Sequence, residues 1–140
     1  MKLIDYLNMD EWTFDQSEIG WRSYKGSNKQ KIDLILTYVD HKKPRELKQI
    51  MLWHVGQLAA ERNDVKTAIK YMTQCISDDN NWNTYVRCTI AFILNDKNEF
   101  LTIIKENPIE TNSNKQLIEK LNDIFGEPYK EFIKEIKELK

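Results

Sequence analysis

The sequence predicts an all-α fold built from antiparallel helical hairpins, and three observations carry that expectation. Only four glycines and three prolines occur in 140 residues, too few turn formers for a sheet protein. Apolar residues recur at helical spacing from residue 28 onward. Residues 53–76 also match residues 85–108 at an offset of 32 positions, with Leu58-Ala59-Ala60 on Ile90-Ala91-Phe92 and Asn63-Asp64 on Asn95-Asp96. Gly56 falls on Cys88, Ala68 on Phe100, Ile69 on Leu101 and Met72 on Ile104. A period of roughly 20–50 residues marks stacked helical repeats.

Thr13-Phe14-Asp15-Gln16 has the capping-box pattern, a hydroxyl at the N-cap and an amide three residues on. It predicts a short helix from Phe14 to Tyr24 with Phe14, Trp21 and Tyr24 on one side. Gly26-Ser27-Asn28 ends that helix and caps the next. The second helix covers residues 28–41, with a stripe of Ile32, Ile35, Leu36 and Val39. Lys42 and Lys43 suit its C-terminal dipole end. Pro44 fits the first turn of a third helix, where its missing N–H costs nothing. That helix extends to Glu61 and turns Leu47, Ile50, Met51, Val55, Leu58 and Ala59 inward. Gly56, Ala59 and Ala60 admit a close partner helix.

Asn63 suits the left-handed conformation that ends a helix, and Asp64 can cap the next one. The helix from Val65 to Ile76 is expected to bury Ala68, Ile69, Met72 and Cys75. After the polar loop Ser77–Asn81, a helix from Trp82 to Leu94 presents Trp82, Tyr85, Val86, Thr89, Ile90 and Ile93. Asn95-Asp96 repeats the turn chemistry, Lys97 to Glu106 returns, and Asn107-Pro108 stops it. The central hairpins therefore span 44–76 and 82–107. Two capping helices fill residues 113–140. Ser113-x-x-Gln116 is a capping box, followed by Leu117, Ile118, Leu121, Ile124 and Phe125. Gly126 and Pro128 separate this helix from the last. There Tyr129, Phe132, Ile133, Ile136 and Leu139 form a stripe that needs a partner surface. The expected whole is a single domain, 1–140, of about six or seven helices. Leu58, Ala59, Ile69, Met72, Ile90, Ala91 and Ile93 are its expected core.

Composition narrows the function classes. The net charge is −1, with 41% hydrophobic and 31% charged residues. Nucleic acid usually selects a strongly basic face, so it is not an expected partner. No apolar run approaches the ~18 residues of a membrane span, so no membrane is expected either. The opening MKLIDYLNMDEW carries acids where a signal peptide needs an apolar stretch, and a cytoplasmic location is expected. Cys75 and Cys88 form no CxxC pair and no metal-ligand spacing. They read as small buried apolar groups.

The first repeat resembles the tetratricopeptide family. Leu52-x-x-Val55-Gly56-x-x-Ala59 matches the first helix of that motif, and Ala68, Met72 and Cys75 match the second. The second repeat departs from it, with Cys88 in place of the glycine and Phe100 in place of the second-helix alanine. The offset of 32 is also shorter than the usual 34 or so. The likeness covers about 60 of the 140 residues. It implies a right-handed superhelical stack of hairpins. Trp53-His54-x-x-Gln57-x-Ala59 and Trp82-Asn83-x-Tyr85-Val86-x-x-Thr89-Ile90-Ala91-Phe92 are similar to small bacterial helical proteins. That likeness implies the fold and supplies no activity.

One constellation could carry chemistry. His54 and Gln57, three apart, share a helix face, and repeat phase aligns Gln57 with Thr89 beside Tyr85. Stacked hairpins could gather His54, Gln57, Trp82, Asn83, Tyr85 and Thr89 along one groove, either a pocket for a peptide or small ligand or a network that fixes helix packing. His54 has no nucleophile at recognisable spacing. His41, beside Lys42 and Lys43, reads as a surface residue. Asp78-Asp79-Asn80-Asn81 lacks the spacing and terminal glutamate of a calcium loop. No GxxxxGK or GxGxxG occurs. No metal or cofactor is expected.

These features favour a non-catalytic module that binds a protein or peptide, because helical stacks offer extended grooves. One version is an immunity protein that neutralises a toxin. The alternative is a small enzyme or ligand binder centred on His54. The C-terminal stripe also offers a surface to a second copy of the chain.

Overall fold

The computed structural model describes residues 1–108 and 113–138, the side chain of Ser113 excepted. Every regular element among them is helical. The described residues form nine α-helices rather than six or seven, and the N-terminal segment accounts for much of the excess. Instead of one helix over 14–24, it forms α1 (Leu3–Leu7), α2 (Glu11–Gln16) and a 3₁₀ turn, Trp21–Ser23. The expected cap at Thr13 lies inside α2. Asp10 is the N-cap, its carboxylate accepting from the Thr13 amide at 2.8 Å. Gly20 then brings the chain back against α2. A Cβ there would stand 1.9 Å from the Phe14 carbonyl oxygen, so only glycine permits the approach.

α3 (Asn28–Lys42) starts in the capping box of Ser27 and Gln30. Lys43, in the left-handed region at φ 48°, closes it. The next helix, α4 (Lys48–Glu61), begins four residues after Pro44 rather than at it. A long-range contact overrides the local preference. One carboxylate oxygen of Glu11, on α2, accepts from the amides of Glu46 and Leu47 at 3.0 and 2.7 Å. The contact pins the segment just ahead of α4 to α2.

The two Asn-Asp turns are built alike. α4 passes to α5 (Val65–Met72) through Asn63 at φ 64°, and α6 (Asn80–Ile93) passes to α7 (Lys97–Glu106) through Asn95 at φ 57°. The Asp64 amide donates to the Ala59 carbonyl, and the Asp96 amide to the Ala91 carbonyl, each at 2.9 Å. Each aspartate then caps the returning helix through the amide three residues on. Every partner in one turn lies 32 positions from its counterpart, as the repeat alignment requires. α5 ends at Met72, and a 3₁₀ turn (Thr73–Cys75) replaces the last helical turn expected before Ile76.

α4 packs between α3 and α5 and also touches the last helix, α9 (Tyr129–Glu138). α6 packs on α7 and on α8 (Ser113–Asp123). Leu58, Ala59, Met72 and Ala91 are buried as expected. Ile69, Ile90 and Ile93 are only half-buried, because they sit at the edges of their helices' inward faces. Leu34, Tyr38, Cys88, Phe92 and Phe100 fill the core as well. Phe100 takes the place of the expected small residue by packing edge-on against Phe125 from the loop after α8. Tyr129 and Phe132 of α9 are buried, and Lys120 pairs with Glu135 across α8 and α9 at 3.5 Å. The Ser113 capping box and Leu139 lie outside the described residues.

Candidate functional site

The site begins with α2. Its Asp10 cap sets the helix so that Phe14 and Asp15 turn inward. Phe14 stacks on Tyr38 of α3 at 3.8 Å with rings nearly parallel, and the Tyr38 hydroxyl donates to the Met9 carbonyl at 2.6 Å. Asp15 is thereby carried into the interior, with 0% exposure. A buried carboxylate needs donors around it. Trp21 Nε1 donates to Oδ1 at 3.0 Å, Gln16 donates to Oδ2, and His54 Nδ1 of α4 lies 2.9 Å from Oδ1. Arg22 closes the cluster by donating to the Asp15 carbonyl and stacking over the Trp21 ring at 4.3 Å.

Burial opposes ionisation of Asp15. The hydrogen bond and charge of His54, with the Gln16 and Trp21 bonds, outweigh it and hold the carboxyl below its ordinary value. An ionised Asp15 accepts only, so His54 Nδ1 carries the proton and donates. The His54 side chain is 13% exposed. Its Nε2 makes no hydrogen bond, and no buried polar side-chain atom among the described residues lacks a partner. Nε2 therefore meets solvent. Chemically, the pair presents an imidazole oriented by Asp15, with Nε2 turned outward.

The other expected site residues make different contacts. Gln57, one turn on, donates to the Tyr129 hydroxyl at 3.1 Å and ties α4 to α9. Burial drives the Tyr129 phenol well above its ordinary value, with nearby Tyr85 and Glu61 adding to the effect. Trp82 Nε1 donates to the Cys75 carbonyl at 2.8 Å, and its ring meets Trp53 and Tyr85 edge-on. Asn83 clamps Ser77, accepting from its amide and donating to its carbonyl, both at 2.8 Å. The buried Thr89 hydroxyl donates to the Tyr85 carbonyl at 2.8 Å. His54 thus faces the N-terminal segment, Gln57 the C-terminal helix, and Trp82, Asn83 and Tyr85 the loop and core beside Cys75. Trp82 also lines a cleft of about 250 Å³ with Gln49, Ile50, Ser77, Asp79 and Asn114.

Sequence reasoning missed Asp15, Trp21 and Tyr129 as partners. Asp15 stands 39 positions from His54 and Tyr129 stands 72 from Gln57, and neither separation leaves a periodic signal. His41 is exposed. Both cysteines are buried free thiols, pushed up to about 12 by burial, so neither is a ready nucleophile. Among the described residues no group of three His, Cys, Asp or Glu side chains could hold a metal ion. None of the helices there is long and apolar enough to cross a membrane. The chain matches no protein-family model, no curated protein and no solved structure.

Proposed function

We propose that the chain is a non-catalytic helical-repeat module that binds a protein or peptide. We read its stacked hairpins as a right-handed arrangement of the tetratricopeptide kind, working in a bacterial cytoplasm. One observation carries the reading. The polar groups around His54 are engaged inside the protein, with Asp15 holding His54, Tyr129 holding Gln57, Ser77 holding Asn83 and the Cys75 carbonyl holding Trp82. Side chains fixed in this way support helix packing, which leaves the surface for recognition. An immunity protein against a toxin is one form of this function. Affinity capture from native-cell lysate, followed by mass spectrometry, tests it. A protein retained stoichiometrically and reproducibly supports the reading, and a chain that retains none contradicts it.

A second reading has one specific observation in its favour. The outward Nε2 of His54, backed by buried Asp15, is the geometry of an oriented general base. A small enzyme or ligand binder would use it with a hydroxyl, thiol or water brought by substrate. Loss of turnover or ligand binding in His54→Ala, with the fold intact, would favour this reading.

A further inference from the structure

Five of the eight exposed large hydrophobic side chains of the described residues fall within the first 19 positions: Met1, Leu3, Ile4, Trp12 and Ile19. Trp12 is 55% exposed. Trp21, Trp53 and Trp82 each have a ring or hydrogen-bond partner, whereas the Trp12 indole has neither. An exposed tryptophan without a structural task is a typical anchor of protein recognition.

The same segment is acidic. Residues 1–20 hold Asp5, Asp10, Glu11, Asp15 and Glu18 against Lys2 alone, which is −5 + 1 = −4. The whole chain is −1, so residues 21–140 carry −1 − (−4) = +3. Asp15 is interior, and Asp5, Asp10 and Glu18 are exposed. The segment is also held rigidly. Asp15 is bonded to His54, Glu11 accepts from the Leu47 amide, and Phe14 stacks on Tyr38. A fixed platform loses little entropy on binding.

We propose that the outer face of the N-terminal segment, centred on Trp12, docks a cationic protein surface that offers an apolar recess to the indole. The inference rests on the partner-binding reading above and adds the surface and the partner's chemistry. Charge complementarity selects the occupant. Two copies of this face would set acid against acid, and an anionic lipid surface would repel it. A basic partner meets both the exposed indole and the exposed carboxylates of the same segment.

The test uses the full chain with ¹⁵N-labelled indoles and a synthetic amphipathic helix of leucine and lysine, beside its leucine–glutamate counterpart. The lysine peptide should shift the Trp12 indole signal and leave the other three in place. Its binding should weaken with salt, fall roughly 10-fold or more in Trp12→Ala, and fall again in Glu18→Lys. Neither side chain has a hydrogen-bond partner, so both variants should melt with the wild type. No binding of the lysine peptide, equal binding of the glutamate peptide, or binding indifferent to both substitutions overturns the proposal. Trp12-dependent self-association in sedimentation, or Trp12-dependent binding to phosphatidylcholine vesicles, overturns it in favour of those occupants. The lysate capture separates the two claims. A partner retained equally by Trp12→Ala sinks this surface alone, whereas no partner for the wild type sinks the function.

Discussion

His54 Nδ1 lies 2.9 Å from Oδ1 of Asp15, joining residues 39 positions apart. The contact fastens the short helix α2 to the centre of the stack at α4. Three donors, from α2, the 3₁₀ turn and α4, converge on that one carboxylate. It anchors the N-terminal segment, whose exposed side chains include Trp12 and Glu18, to the helical stack.

The Asp15 carboxyl sits below its ordinary value in the folded protein. A group depressed in this way stabilises the fold above its unfolded value, near pH 4, and the benefit is lost as pH falls through its folded value. Asp15→Asn should therefore be less stable than wild type near neutrality, by about 1–3 kcal/mol. The two should converge as acid protonates Asp15. Urea midpoints measured from pH 7 down to pH 2 check this, and a gap that persists unchanged at pH 2 would contradict it.

The equivalent turns make a second prediction. Asn63 and Asn95 both occupy the left-handed region, where a β-carbon other than that of Asn or Asp costs about 1–2 kcal/mol. Asn63→Ala and Asn95→Ala should lower the denaturation midpoint by similar amounts, and either Asn→Gly should be tolerated. Substitutions with no effect at one turn only would show that the two are not energetically equivalent.

These turns were legible because their determinants are local. An asparagine that tolerates positive φ, followed by an aspartate that caps, needs no knowledge of the rest of the chain. The capping box at Ser27 was readable for the same reason. α4 starts past Pro44, and Glu11, 36 positions from Leu47, takes up the amides of Glu46 and Leu47 just ahead of it, a contact no local pattern signals. The single helix expected at 14–24 failed likewise. Asp10 competes with Thr13 for the cap, and the close approach at Gly20 depends on tertiary contact. The site was half legible. His54 and Gln57 stood out, but their partners came from opposite ends of the chain, and helical periodicity carries no information about such pairings.

Packing at the first hairpin gives a third prediction. Ala59 has no exposed surface. Ala59→Leu should destabilise by about 1–3 kcal/mol, because the added carbons force α4 from its neighbours. Chemical denaturation reads the effect, and an unchanged midpoint would mean that the site relaxes freely.

The last helix is a structural cap in this account. Tyr129 and Phe132 are buried, and Gln57 bonds the Tyr129 hydroxyl. Each large side chain so buried contributes roughly 1.5–3 kcal/mol. Removing residues 128–140 should lower the melting temperature or cause aggregation. A truncated chain that stays monomeric and equally stable would refute the docking of α9.

His54, bonded to Asp15, ties the N-terminal segment to α4, and under the proposed function it performs no chemistry. The melting temperature of His54→Ala tests this claim most directly. Asp15 would lose a buried donor, at a cost of about 1–3 kcal/mol, and the midpoint should fall by roughly 3–10 °C. A melting temperature equal to that of the wild type, with partner retention or turnover abolished, would contradict the claim and place His54 in a functional site.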